Sequence, residues 1–211
     1  EGLMSHFASA DESDNPQSDK QIANFKLAQK ICEQKGIKLK WTHLSATAGL
    51  LTNRETGCNI ARVGKAVYGI DPIGTHPELQ PVLSLKSKIV QVKQLEKGAL
   101  VGYNGTFQAK KTLNIGVLPI GYADGVDRRL SNQGMVTVGD KLVPIIGRVS
   151  MNITTIDLTG IDDYFVGQEV TIYSAEPDAV NSIKNSADLC QTIPYDLLVH
   201  LDSSIRRQWG D

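Results

Sequence analysis

Residues 71–77, Asp71-Pro72-Ile73-Gly74-Thr75-His76-Pro77, form a turn-rich stretch that separates two parts of the sequence with different patterns. Prolines and a glycine so close together interrupt helices and strands alike. Before this stretch, predicted strands alternate with predicted helices. After it, short predicted strands follow one another closely. We therefore expect two domains, residues 1–78 and residues 79–211, with the boundary near residue 78.

The first part has the pattern of a parallel sheet or barrel. A helix is predicted over residues 15–36, because Asn15 suits its N-cap, Pro16 its first turn and Gly36 its C-terminal stop. Its predicted apolar stripe, at helical spacing, consists of Ile22, Phe25, Ala28, Ile31 and Cys32. After a strand that ends at Met4, the other predicted elements are strands at 37–43 and 58–63 and a short helix at 45–53. Strands that alternate with helices are typical of α/β folds.

The second part has the pattern of an antiparallel β-domain. Its strands have β-branched content, recur at a spacing of about 8–12 residues and are punctuated by glycines. The predicted strands are 83–88, 99–103, 112–122, 134–138, 142–151, 153–158 and 168–174. A helix is predicted at 179–191.

The composition excludes several classes of protein. The 211 residues are 41% hydrophobic and 21% charged, which is ordinary for a globular chain and argues against disorder or a coiled coil. A net charge of −1 supplies no basic field for nucleic acid. No apolar run reaches the roughly 18 residues of a membrane span. We therefore expect neither nucleic acid nor a membrane as a partner.

The cysteines and the start of the chain carry further information. Cys32, Cys58 and Cys190 are odd in number and scattered, which fits neither a disulfide framework nor a zinc site. We expect free thiols, no metal and a reducing compartment, the cytoplasm. The chain opens with Glu1-Gly2-Leu3-Met4, where Leu3 and Met4 are predicted to end an apolar strand. We therefore expect a piece of a longer polypeptide.

Several residues lie where chemistry could occur. In a parallel barrel the residues at the carboxyl ends of strands line the active-site face, and His6, Thr47 and Arg62 follow such predicted ends. In the second part, Tyr103 precedes Asn104-Gly105, and Met151 closes the run from Gly147. Taken singly, each is better explained by an ordinary structural role, such as a hydrogen-bonded tyrosine or a core methionine.

Taken together, these residues fall in six strings that resemble the alanine racemase family in order and spacing. The strings are GLMSHFASADE (2–12), ARVGKAVYG (61–69), VGYNGTF (101–107), IGYADG (120–125), IGRVSMN (146–152) and TIPYD (192–196). The resemblance extends from residue 2 to about residue 200. It implies the C-terminal portion of a TIM-like (β/α)8 barrel in residues 1–78, followed by an antiparallel β-domain.

The resemblance implies an isomerase that interconverts L-alanine and D-alanine with pyridoxal 5′-phosphate and two bases, a tyrosine and a lysine. The D-alanine would supply cell-wall peptidoglycan. It also implies a head-to-tail homodimer, in which the β-domain supplies the tyrosine to the partner subunit's active site. None of the lysines here falls in the family's Schiff-base motif. The upstream half of the same protein is therefore an implied partner, and the isolated fragment is expected to be inactive.

Three catalytic residues follow from the resemblance. Tyr103 matches the family's tyrosine base, and racemisation needs one base on each face of the substrate's Cα. Arg62 matches the arginine that faces the pyridine nitrogen, and His6 matches a histidine that bonds to both Tyr103 and Arg62. Because an arginine only donates, it leaves that nitrogen unprotonated and weakens the electron sink.

Cofactor-binding positions are implied as well. Thr47, Gly64 and the backbone at Lys65 match the phosphate cradle, and Tyr195 closes it. Thr47 stands where the family usually has serine, which keeps the hydroxyl. Lys65 stands where an apolar residue is usual.

The remaining matches concern the substrate. The backbone N–H of Met151 would contact the substrate carboxylate, and Asn152 replaces the usual aspartate beside it. Five residues match the corridor through which the substrate reaches the site: Asp11, Tyr122, Arg128, Arg148 and Ile193. A narrow corridor with charged walls favours small zwitterions.

Three alternatives stay open at this point. A related racemase could act on serine or another small amino acid, and neither the corridor nor Met151 separates these substrates. A decarboxylase of the same fold type is less favoured, because such enzymes usually place glutamate where Arg62 lies. A non-catalytic interaction module is favoured by the missing lysine for the isolated chain.

Overall fold

The computed structural model describes residues 1–12 and 14–210 of the chain. They form two compact units that divide between Pro81 and Val82, close to the predicted boundary. The first unit is α/β and the second is rich in antiparallel strands, so the predicted fold class is confirmed. Within the described part of the chain, no helix has both the length and the apolar character that a membrane crossing requires.

The first unit is built on a parallel pair of short strands. Strand β1 (Gly2–Met4) pairs with β2 (Trp41–His43), and helix α1 (Pro16–Gln34) connects them. Helix α2 (Thr47–Leu51) follows β2. Parallel strands joined through a helix are the elementary α/β unit. The carboxyl ends of both strands therefore lie side by side.

Helix α1 begins and ends as the sequence predicts, but its buried face is shorter. The Asn15 side chain accepts a hydrogen bond from Gln17 N, and Gly36 takes a φ of 71° just past the helix end. Phe25 packs in a buried cluster with Phe7, Ala10 and Leu44, whereas Ile31 of the predicted stripe is 48% exposed. The helix has 19 residues, about 28 Å, and each strand spans only about 10 Å. Its C-terminal half therefore passes beyond the two strands.

The strand predicted at 58–63 is wrong. Only one parallel bridge forms there, between Ala46 and Arg62. The Asn59 side chain explains the difference, because its Oδ1 accepts the Thr42 N–H at 2.8 Å while Asn59 N and Ile60 N donate to Thr42 O. The Asn59 side chain thus accepts the hydrogen bond that a backbone carbonyl would accept in a sheet. Residues 58–63 therefore run beside β2 without adding a strand to the sheet.

The described residues of the second unit form three antiparallel sheets and two α-helices. Its strands are β3 (Leu85–Lys88), β4 (Gln91–Leu95), β5 (Leu100–Val101), β6 (Phe107–Gln108), β7 (Leu113–Leu118), β8 (Met135–Val138), β9 (Lys141–Pro144), β10 (Thr154–Asp157) and β11 (Glu169–Tyr173). The sheet orders are β10-β7-β4, β3-β11-β8-β9 and β5-β6. The helices are α3 (Ile183–Leu189) and α4 (Pro194–Val199). The predicted strands are present but mostly shorter, while β4, β6 and α4 are not predicted.

The core of the second unit is dense around β7, the central strand of its sheet. Leu118, Ile156 and Leu158 are fully buried. Gly116 allows this packing, because a Cβ there would lie 3.1 Å from Leu158 and 3.2 Å from Ile156. The core therefore supports the loops at its edge, which carry the predicted site residues.

Candidate active site

Arg62 is the centre of a polar cluster at the strand ends of the first unit. Its backbone N donates to Ser45 O, which fixes it beside the end of β2. The guanidinium approaches two histidine rings, with Nη1 2.5 Å from His43 Nδ1 and Nη2 2.6 Å from His6 Nδ1. Nη2 also donates to Ser5 O at 3.1 Å. The predicted pair His6 and Arg62 is thus brought together.

The chemistry of arginine sets the direction of both contacts. A guanidinium carries only donors, so each Nδ1 accepts. His43 is a residue that sequence reasoning missed as a candidate site residue. A signal was available, because His43 ends β2 and pairs in register with Met4, two residues before His6. In a parallel pair, residues at matching strand ends are neighbours.

Two predicted phosphate-cradle residues also meet in this unit. The buried Thr47 hydroxyl accepts a hydrogen bond from Gly64 N at 3.0 Å. Lys65 begins a 3₁₀ turn over Lys65–Tyr68 that ends at Gly69. The hydroxyl and the start of this turn therefore lie close to Arg62. Asp11, predicted for the corridor, lies in the exposed turn after β1.

In the second unit, Tyr103 is displayed on a tight turn. It begins a 3₁₀ turn over Tyr103–Gly105 and is 69% exposed. Gly102 before it has a φ of 74°, and a Cβ there would lie 2.7 Å from Arg148 N. Only glycine combines this backbone conformation with so close an approach. The turn is therefore packed directly on the segment that carries Arg148.

Met151 and Tyr122 lie on neighbouring backbones. Tyr122 N donates to Ser150 O at 3.0 Å and Ala123 N donates to Met151 O at 2.9 Å. Gly121 makes the approach possible, because a Cβ there would lie 2.1 Å from Ser150 O. Met151 and Tyr122 are 55% and 42% exposed. Asn152, also exposed, follows Met151 in the same turn.

Two predicted corridor residues, Arg128 and Arg148, line one cleft. Its volume is about 340 Å³, and its lining residues are Thr106, Arg128, Arg129, Ser131, Asn132 and Arg148. Arg129 is engaged elsewhere, with Nη2 2.6 Å from Asp127 Oδ2 and 2.6 Å from Asp196 Oδ2. The cleft is therefore cationic, which suits a carboxylate.

Helix α4 carries the remaining predicted residues at its start. Ile193 is its N-cap and Tyr195 lies in its first turn. The next residue, Asp196, accepts hydrogen bonds from Arg129 and from the Thr192 hydroxyl. These hydrogen bonds hold the pKa of Asp196 below its usual value, and the bond from Arg129 has the larger effect. Asp196 thus ties this helix start to Arg129.

The predicted residues therefore form two groups, one in each unit. His6, Thr47, Arg62, Gly64 and Lys65 gather in the first unit. In the second unit, Tyr103, Tyr122, Arg128, Arg148 and Met151 lie on adjoining loops, and α4 presents Ile193 and Tyr195.

Comparison with known proteins matches both units to one family. The family described as "Alanine racemase, N-terminal domain" matches residues 1–72. "Alanine racemase, C-terminal domain" matches residues 82–209. An alanine racemase from Syntrophobacter fumaroxidans is 38% identical over 200 residues, which cover 93% of this chain and 53% of that protein. The chain thus spans about half the length of the curated relatives it matches.

Solved structures give the same result. An alanine racemase from Streptomyces coelicolor has a TM-score of 0.90 at 30% identity, over 99% of this chain and 55% of that one. An alanine racemase from Bartonella henselae, solved with covalently bound pyridoxal phosphate, has a TM-score of 0.83 at 27% identity. The match covers 99% of this chain and 56% of that one.

Proposed function

Because the chain belongs to the alanine racemase family, we propose that it is part of a pyridoxal-phosphate-dependent isomerase that interconverts L-alanine and D-alanine. One observation carries the proposal. Arg62 bridges His6 and His43 at the adjacent ends of two parallel strands. Many other contacts could hold the fold together. A guanidinium between two histidine rings at the carboxyl ends of parallel strands, where barrel enzymes place their catalytic residues, favours a role in catalysis.

The donors of the first unit fit the phosphate of this cofactor. The Thr47 hydroxyl accepts a hydrogen bond from Gly64 N at 3.0 Å and can donate its own hydrogen to a phosphate, and Lys65 adds a backbone N–H at the start of a turn. Hydroxyl and backbone N–H donors are the groups that hold a phosphate dianion. Tyr195 is proposed to close this cradle. The bound cofactor supplies an electron sink that acidifies the substrate's α-hydrogen.

Arg62 sets the electronic character of the site in this proposal. It would donate to the pyridine nitrogen of the bound cofactor and leave that nitrogen unprotonated. That weakens electron withdrawal, which favours simple return of the proton over side reactions such as transamination. The two histidines hold the planar guanidinium in one orientation, because Nη1 contacts His43 and Nη2 contacts His6.

Tyr103 supplies one base and Met151 supplies a backbone donor for the substrate carboxylate. Tyr103 is 69% exposed, which supports its use by another polypeptide chain. We propose a head-to-tail homodimer in which each β-rich unit serves the partner subunit's site. The corridor residues then admit small amino acids, through the cationic cleft that Arg128 and Arg148 line.

The second base is a lysine that we assign to an upstream half of the same protein. Coverage of about half of each curated relative supports this assignment. The isolated chain is then inactive. The product, D-alanine, would serve peptidoglycan synthesis in the cytoplasm, and three unpaired cysteines fit such a reducing compartment.

The test compares two arginine variants in the chain joined to its upstream half. Arg62→Lys keeps the positive charge but cannot bridge both rings, so alanine racemisation should fall by about 10²-fold or more. Arg207→Lys alters an exposed arginine of the second unit and should leave the rate within about twofold. Circular dichroism of L- and D-alanine, with serine alongside, measures the rates. Equal rates for both variants, or faster turnover of serine than of alanine, would contradict the proposal.

A further inference from the structure

Asn132 joins the two loops that carry Tyr103 and Met151. It follows the 3₁₀ segment Arg128–Leu130 and has a φ of 61°. Its Oδ1 accepts the Gly147 N–H at 2.6 Å, and its Nδ2 donates to the Thr106 hydroxyl at 3.1 Å. One amide therefore connects residue 106 to residue 147.

Each partner of Asn132 lies next to a candidate site residue. Thr106 is the C-cap of the turn that begins at Tyr103. Gly147 opens the run that leads through Arg148 to Met151. A second strap reinforces this run, because the Ser131 hydroxyl accepts the Val149 N–H at 3.0 Å.

The backbones on either side of this bond are already in close contact. A Cβ at Gly147 would lie 2.8 Å from Val101 O, and one at Gly102 would lie 2.7 Å from Arg148 N. Van der Waals contact between these backbones has no directional preference, whereas a hydrogen bond has one. The amide bonds fix their register.

The residue type is specific to this task. Asparagine tolerates the left-handed conformation better than most residues, and its amide both donates and accepts. Aspartate would keep the bond from Gly147 but lose the donor to Thr106. Glycine would keep the backbone conformation and lose both bonds.

We propose that Asn132 is a positioning residue that fixes the Tyr103 turn in register with the Met151 loop. This role rests on the proposed racemase function, because the relative position of the two loops affects catalysis only if Tyr103 and Met151 act on the substrate. Asn132 does not touch the reacting atoms. It acts through Thr106 and Gly147, and its effect is confined to the proton transfer that Tyr103 serves.

The test removes the hydrogen bond between Asn132 and Thr106 in the full-length protein, once by changing the donor residue and once by changing the acceptor residue. Asn132→Asp deletes the donor, and Thr106→Val deletes its acceptor without adding charge. Asn185→Asp is the matched control, since its Nδ2 donates to Ala179 O at 2.7 Å in the same unit but at α3. The readouts are deuterium uptake by residues 102–107, α-hydrogen exchange of L- and D-alanine in heavy water, and pyridoxal phosphate affinity.

Both site variants should speed uptake in residues 102–107 and slow L-alanine exchange by about three- to tenfold. D-alanine exchange, cofactor affinity and the melting midpoint should change little, and the control should match wild type. Equal slowing of both enantiomers, or unchanged uptake with unchanged exchange, would overturn the proposal. If wild type exchanges neither enantiomer, the proposed function fails instead, and uptake alone then decides whether Asn132 holds the turn.

Discussion

The two units hold their candidate residues in different ways. In the described part of the first unit, the buried apolar side chains are Phe7, Ala10, Phe25 and Leu44, whereas the described part of the second unit buries 26 such residues. Arg62 and its histidines are therefore held by hydrogen bonds, while Tyr103 and Met151 lie on loops backed by packed sheets. A site can be held in place without a large hydrophobic core when one side chain, here that of Arg62, donates several hydrogen bonds.

The largest effect should appear in hydrogen exchange of the 211-residue chain. Amides of β7 should exchange about 10³-fold more slowly than amides of β1 and β2, after correction for intrinsic rates. A difference of about 4 kcal/mol in opening free energy produces this ratio. Exchange followed by NMR or mass spectrometry measures it. Equal protection in both units would show that four buried apolar residues stabilise the first unit as well as the larger core stabilises the second. That result would contradict the proposed difference between the units.

Paired core substitutions sharpen the comparison. Leu118→Ala removes a fully buried side chain beside β10 and should lower the free energy of unfolding of the second unit by about 2–5 kcal/mol. Leu44→Ala makes the same chemical change at a site that is 1% exposed in the first unit. It should leave the protection of β7 amides unchanged. The dependence of β7 exchange on urea measures the free energy of unfolding of the second unit in both variants. A loss of β7 protection in Leu44→Ala would mean that the two units unfold as one.

The smallest effect is an opposite response to pH in the two units. In the first unit, His76 Nε2 contacts Leu51 O at 3.1 Å and Nδ1 contacts Glu78 Oε1 at 2.8 Å. Only the protonated ring donates from both nitrogens, and the bond to Glu78, ahead of that to Leu51, raises the pKa of His76. Its contribution is complete below the unfolded value of about 6.5 and is lost as pH rises through the folded pKa.

The second unit loses a contact in acid instead. The bond from Arg129 lowers the pKa of Asp127 as well as that of Asp196. Their contribution is complete above the unfolded value of about 3.9 and is lost as pH falls through the folded pKa. After correction for intrinsic exchange rates, protection should therefore fall at residues 71–78 as pH rises and at residues 192–199 as pH falls. His76→Gln should abolish the change at residues 71–78 and leave the change at residues 192–199. Protection of residues 71–78 that does not depend on pH would contradict this assignment.

Sequence patterns anticipated the elements that local chemistry determines. Asn15 and Gly36 bound α1 because capping is a property of a few adjacent residues. The segment 58–63 was misassigned, because its apolar composition favours a strand while the Asn59 side chain replaces the ladder. Helix α4 is short, and β4 (Gln91–Leu95) is polar at most positions, so neither gives a strong periodic signal.

The candidate site shows the same division. The family resemblance predicts His6, Arg62 and a bond between them, and the structure shows that contact. His43 is not predicted, although its place at the end of β2 is a signal for it, and Asn132 is not predicted because its partners are far away in sequence. Asn132 contacts Thr106 and Gly147, 26 and 15 residues away, and no local pattern encodes such a pair.

The most direct test of the account asks whether Tyr103 serves one face of the substrate. Tyr103→Phe, made in the full-length protein, keeps the ring and removes the hydroxyl. Racemisation should fall by about 10²–10⁴-fold, as for loss of a general base, while pyridoxal phosphate still binds. In heavy water, D-alanine should still exchange its α-hydrogen through the upstream lysine, and L-alanine should exchange far more slowly. Equal residual exchange of the two enantiomers would contradict the account, because one base would then serve both faces.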